Sequence, residues 1–144
     1  MVMRGFYMKL KLQLVRDGEI VFEMPLSPMD WPMEQLENEF KSLEKDFHRF
    51  SKVFDALSSE TRLRMMRRLM EEEDRTMSFT DFMRDLNLNP KIVWANSRKL
   101  SDGGLLKKIG RGKYRCSDFG QTTFMVMSLA LHRLLEFLEE TENF

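Results

Sequence analysis

Residues 89–116 read NPKIVWANSRKLSDGGLLKKIGRGKYRC, and the order of signals in this stretch decides the fold. Asn89 is a helix cap, and Pro90 fits the first helical position because the N–H it lacks has no partner there anyway. Gly103-Gly104 supplies a left-handed stop. Within the helix Lys91, Trp94 and Arg98 recur at intervals of three and four and share one face, while Val93 and Leu100 lie on another. After the stop, Leu105 to Ile109 and Lys113 to Cys116 flank Gly110-Arg111-Gly112, a short glycine turn that closes a hairpin. One face of the helix is free to read a partner and the other packs.

The charge of this region is lopsided. Arg84, Lys91, Arg98, Lys99, Lys107, Lys108, Arg111, Lys113 and Arg115 stand against only Asp85 and Asp102, although the whole chain of 144 residues is formally neutral. Segregated positive charge on a helix and hairpin is the electrostatic footprint of a phosphate-binding surface, so double-stranded DNA is the expected partner. Ser78 begins the preceding helix, where backbone N–H groups meet phosphates. The candidate DNA contacts are Ser78, Lys91, Trp94, Arg98, Lys99, Lys108, Arg111 and Lys113.

Upstream, Phe6 to Met24 reads as a hairpin about Arg16-Asp17-Gly18. A three-residue loop pairs Leu14 with Ile20, Leu12 with Phe22 and Leu10 with Met24, whereas a two-residue turn sets Leu12 against Glu23. Two strands are marginal alone, so the hairpin implies a docking partner, either the rest of the chain or a second protein or effector. Prolines 25, 28 and 32 punctuate a linker. From Met33 to Leu57 apolar residues alternate spacings of three and four, which predicts one helix with a seam roughly 37 Å long. Ser58 and Ser59 cap the next helix, with Leu63, Met66, Leu69 and Met70 inward and Arg62, Arg64, Arg67 and Arg68 outward. A shorter helix from Ser78 buries Phe79, Phe82, Met83 and Leu86. Asp118 to Gly120 reads as a break before a last apolar helix from Gln121 to about Thr141.

The fold expected is therefore mainly α (α+β): a β-hairpin arm and linker over residues 1–32, a long helix over 33–57, a helix-turn-helix with a basic hairpin over 58–120, and a C-terminal helix over 121–144. The long helices are the expected homodimer contacts, through Phe40, Leu43, Phe47 and Phe50 on one and Met127, Leu131, Leu134 and Leu138 on the other.

Phe54-Asp55-Ala56-Leu57-Ser58-Ser59-Glu60-Thr61-Arg62-Leu63-Arg64-Met65-Met66 resembles the opening of ArsR-like winged helix-turn-helix regulators, in which an aromatic, Ala-Leu and a polar pair precede Thr-Arg. Arg98 to Leu106 is similar to that family's Lys-x-Leu-x-x-Ala-Gly-Leu-Val. The resemblance covers about residues 54–120, and the N-terminal arm resembles an archaeal branch. It implies a homodimeric transcriptional regulator with a recognition helix and a wing. Metal-sensing members carry cysteines before the recognition helix; here that stretch is Ser78-Phe79-Thr80-Asp81-Phe82-Met83, so neither metal nor cofactor is expected. Trp94, Ala95 and Ser97 also depart from the family pattern.

Other classes fit less well. There is no glycine-rich phosphate loop and no recognisable nucleophile and base set, so no enzyme is expected. A single cysteine, no apolar run of membrane-span length and an N-terminus with interleaved lysines give an expected cytoplasmic location. The alternative is a winged-helix module that binds protein in a transcription or replication assembly, with Trp94 as a hot spot.

Overall fold

The computed structural model describes residues 9–142. The chain is a mainly helical α+β protein that divides into two compact units, one up to Phe47 and one from His48 onward.

In the first unit, strands β1 (Lys11–Arg16) and β2 (Glu19–Pro25) pair antiparallel, and helix α1 spans Met33–Glu44. Phe6 to Met8, the expected start of the hairpin, lie outside the described residues. The turn is not the three-residue loop expected. Asp17 and Gly18 take φ of 52° and 84°, a two-residue turn whose twist suits the strands, so Arg16 faces Glu19 and Val15 faces Ile20. Continued unchanged, that register sets Leu12 against Glu23. A bulge at Val21 instead shifts the pairing by one residue, so that Leu14 faces Phe22, Leu12 faces Met24 and Gln13 faces Glu23. The polar pair is satisfied as well: Gln13 donates to Glu23 at 2.7 Å, which, ahead of nearby Lys11, holds that carboxyl below its ordinary value. Phe22 and Met24 then line a groove with Leu36, Phe40 and Leu43 of α1, and the Trp31 indole N–H closes the linker onto the Pro25 carbonyl at 3.0 Å.

The helix expected to run unbroken from Met33 to Leu57 is two helices, α1 and α2 (Phe47–Ala56). Lys45 and Asp46 donate to the carbonyls of Ser42 and Leu43, three residues back instead of four. Tightening of the backbone ends α1 where neither glycine nor proline marks a stop.

The second unit continues with α3 (Glu60–Met70), β3 (Thr76–Ser78), α4 (Phe79–Leu86), α5 (Pro90–Asp102), β4 (Leu106–Gly110), β5 (Lys113–Cys116), α6 (Asp118–Phe124), a π-helical segment (Met125–Ala130) and α7 (Leu131–Glu142). Met65, Met66 and Leu69 of α3, Phe82 of α4, Val93 and Leu100 of α5, and Leu105 and Leu106 meet in one buried core. The sheet order is β3-β5-β4, all antiparallel. Its inner face contributes Met77 and Tyr114, and the Tyr114 ring lies 6.3 Å from that of Phe82.

Three glycines fix how α5, β4 and α6 join. Gly104 is the left-handed residue, with φ of 80°, while Gly103 keeps a right-handed backbone and is needed for closeness: a Cβ there would stand 2.9 Å from that of Ala56. Gly120 does not mark a break, because the helix already begins at Asp118, capped by the Ser117 hydroxyl. A Cβ at Gly120 would sit 2.3 Å from the Leu105 carbonyl oxygen. Gly120→Ala should therefore destabilise the fold by about 3 kcal/mol or more in urea denaturation, since backbone cannot yield as a side chain can. Gly110→Ala, with nothing within 4 Å of the added carbon, should stay within about 0.5 kcal/mol.

Candidate nucleic-acid interface

Helix α5 is built as its sequence predicts. The Asn89 side chain accepts from the Ile92 N–H at 2.9 Å, Pro90 opens the first turn, and Val93, Ser97 and Leu100 are buried. The opposite side carries Lys91, Trp94 and Arg98, all exposed. Trp94 is 54% exposed, and the Arg98 guanidinium lies 5.2 Å from its ring centre, so cation and indole present one joint surface.

The β4–β5 hairpin orders its cations by alternation. Lys113 and Arg115 are exposed while Tyr114 and Cys116 are buried, and Lys107 faces Arg115 across the ladder. Lys107, Lys113 and Arg115 thus share the outer face, and Lys108, opposite Tyr114, belongs to the other. Arg111 and Gly112 form the turn itself, so Gly110 is part of the strand instead of the loop. The Gly112 carbonyl accepts from the Phe79 N–H at 2.7 Å, which ties the hairpin tip to the start of α4. Lys107 and Arg115 were not among the candidate contacts, although period-two alternation from Lys113 reaches Arg115 directly.

Two candidates are engaged elsewhere. Ser78 is closed in a capping box: its hydroxyl accepts from the Asp81 N–H and its own N–H donates to the Asp81 carboxylate, both at 3.0 Å. These bonds from Ser78, with Arg84 beside them, hold the Asp81 carboxyl below its ordinary value, so the N-terminus of α4 already has its anion. Lys99 pairs with Asp55 of α2 at 2.8 Å and lowers the pKa of that carboxyl.

The remaining cations divide by element. On α3, Arg64 pairs with Glu60, Arg67 with Glu71, and Arg68 with both Glu72 and Asp85. Arg84 pairs with Asp81 and Asp85. Among the described residues Lys91, Arg98, Lys107, Lys108, Arg111, Lys113 and Arg115 make no ion pair; Arg115 donates only to the Thr76 hydroxyl at 3.3 Å.

Arg62, expected on the outer side of its helix, points instead into the joint between α2, α3 and α5. Its guanidinium donates to the carbonyls of Ala56 (2.8 Å) and Asp55 (3.0 Å) at the end of α2, the second of which also accepts from Ser58, and to the Asn96 side chain of α5 (2.7 Å). Nothing in the helical periodicity marks that role, which needs three elements in place.

Of the expected dimer contacts, Phe40, Leu43, Phe47, Met127, Leu131 and Leu134 are exposed, while Phe50 and Leu138 are half-buried. Cys116 is buried, and desolvation pushes its thiol up to about 11, well away from thiolate chemistry. Among the described residues no helix is long and apolar enough to cross a membrane. No known protein family and no curated protein matches the chain.

Because the Arg62 fork serves three acceptors, Arg62→Ala should cost about 2–4 kcal/mol in denaturant unfolding, and Arg62→Lys should recover little of it. A loss below about 0.5 kcal/mol would remove Arg62 from its place as the link between α2 and α5.

Proposed function

We propose that this protein is a homodimeric, DNA-binding transcriptional regulator of the winged helix-turn-helix class, similar to ArsR-like regulators and acting without a metal or cofactor. In this reading α4 and α5 are the helix-turn-helix, α5 enters the major groove, and the β4–β5 hairpin is the wing. The observation that carries it is the partition of ion pairs. Apart from Arg62, which is spent on backbone carbonyls and Asn96, the cations on α3 and α4 pair with local carboxylates, while those on the outer face of α5 and along the hairpin stand unpaired among the described residues. Unpaired cations held on rigid elements are what a polyanion needs, since each phosphate neutralised releases condensed counterions.

Roles follow from position. Lys91 and Arg98 reach base edges or phosphates from α5, the Trp94 indole packs on sugar or a thymine methyl, and Arg111 and Lys113 follow the backbone beside the groove. Lys108 gives a phosphate contact from the other side of the hairpin. Lys99 and Ser78 instead hold α5 and α4 in place through Asp55 and Asp81. The dimer is built on the C-terminal helix, where Val126, Leu129, Leu131, Leu134, Leu135 and Phe137 are all exposed on one chain. A twofold pair of such helices buries this surface and sets two copies of α5 on half-sites roughly 34 Å apart.

Titration with duplex DNA at several salt concentrations tests the interface. The double variant Arg111→Ala, Lys113→Ala should bind more weakly on every sequence, with a salt slope smaller by about 1–2; unchanged affinity and slope would exclude the hairpin. Sedimentation should find a dimer for the native chain and a monomer for Leu131→Glu, Leu134→Glu, with a matching loss of affinity for two-half-site DNA. A native chain that sediments as a monomer at high concentration would rule out the dimeric form.

A further inference from the structure

The outer face of the sheet leads somewhere. Lys113, Arg115 and Lys107 lie side by side on it, and Lys107 is also one wall of a cleft of about 340 Å³ whose opposite wall is α2. Arg49 and Lys52 of α2, Asp102 at the end of α5, and Asp118 and Phe119 at the start of α6 also line this cleft. We propose that this cleft seats a backbone phosphate of bound nucleic acid, and that Arg49, Lys52 and Lys107 extend the contact surface beyond α5 and the hairpin tip. The inference rests on the DNA-binding reading and adds a second anchoring point to it.

Three observations support the assignment. First, Arg49, Lys52 and Lys107 make no ion pair among the described residues, although two carboxylates line the same cleft. Second, the Arg49 guanidinium stands over the Phe119 ring, 5.1 Å from its centre. A stacked guanidinium keeps its N–H edge for a planar or tetrahedral oxyanion, and it loses little freedom on binding. Third, the walls are fixed before any ligand arrives. The Ser117 hydroxyl donates to the Gly104 carbonyl at 2.7 Å and accepts from the Gly120 N–H at 2.8 Å, and Gly103 lets α2 approach the end of α5. Three cations against Asp102 and Asp118 leave a single net positive charge, which suits one phosphodiester better than a multiply charged ligand.

The carboxylates give the assignment a direction that a purely structural role lacks. A phosphodiester offers them no hydrogen-bond donor, so they only repel it. A ribonucleotide offers hydroxyl donors, and they would hold it.

The full-length protein is titrated with duplex DNA over a range of salt, with unfolding followed in parallel. The variants Arg49→Gln and Lys52→Gln should each weaken binding, and combined they should lower the salt slope by about 1, while Arg111 and Lys113 stay intact. Asp102→Asn should tighten binding, and the amide resonances of Gly103, Gly104 and Phe119 in the native chain should shift as duplex is added. If the native chain binds DNA yet the combined Gln variant keeps its slope and those amides stay still, the cleft is not a phosphate seat and the proposal falls, with the α5 and hairpin contacts untouched. If adenosine monophosphate moves the same amides, is not displaced by duplex, and is lost with Asp102→Asn, the proposal is overturned in favour of a nucleotide site. Failure of the native chain to bind any duplex would overturn both readings, whereas a slope lowered by the Arg111 and Lys113 variant but not by the Gln variants would overturn this one alone.

Discussion

The backbone knot around Leu105 is the constraint on which the second unit depends. The Leu105 N–H donates to Leu100, its carbonyl accepts from the Ser117 N–H at 3.0 Å, and Gly120 lies against the same carbonyl with no room for a side chain. The Ser117 hydroxyl adds a bond to the neighbouring Gly104 carbonyl. One buried residue thus ties the end of α5, the first strand of the hairpin and the start of the C-terminal helix. Loosening it frees the hairpin relative to α5, and a surface made of both elements then has no fixed geometry. Buried backbone groups of this kind must be satisfied in full or the fold loses far more than one hydrogen bond.

Around that knot, two kinds of polar contact do different work. Exposed ion pairs such as Arg64 with Glu60 contribute little to stability, about 0–1 kcal/mol at most, because water and salt screen them. Their significance lies in where they are missing: pairing on α3 and α4 leaves the uncompensated field on α5 and the hairpin. Arg62 and Lys99 belong to the other kind, since they join elements far apart in sequence. A net-neutral chain can therefore display a cationic surface without excess arginine or lysine overall.

Local chemistry was legible in the sequence wherever a residue acts on its near neighbours. Ser59, Ser78 and Asn89 cap the helices expected of them, Pro90 opens α5, and the inward stripe of α4 follows from spacing, whereas on α3 the fully buried Met65 lies outside the expected stripe and Leu63 and Met70 are only partly buried. What escaped depends on contacts distant in the chain or on subtle backbone change. The three residues of β3 are too short to show a period and exist because β5 lies beside them. The heptad seam runs through Lys45 and Asp46 without a break, because periodicity records which face is apolar and says nothing of bonds that tighten to three residues. In the hairpin the apolar alternation was right about which residues face each other's strand, yet blind to the bulge at Val21 that shifts the partners. At the candidate interface the outer face of α5 was readable, while the engagement of Lys99 by a carboxylate 44 positions away was not.

The C-terminal helix shows how apolar surface and function connect in the proposed dimer. From Met125 to Phe137 nearly every large side chain is apolar and exposed, and Phe124 is where the helix leaves the core. The π-helical segment at Met125–Ala130 widens the spiral, so the apolar stripe no longer stays on one narrow face as a regular period would keep it. Arg133 and the acidic group Glu139-Glu140 stand at separated positions on this helix without ion partners among the described residues. Arg133 and Glu136 lie on the side of this helix away from Leu131, Leu134 and Leu138, so an interface centred on those leucines is held by apolar burial and leaves these charges in solvent. The separation of the two α5 helices in the proposed regulator would then be set by how the two apolar stripes register on each other.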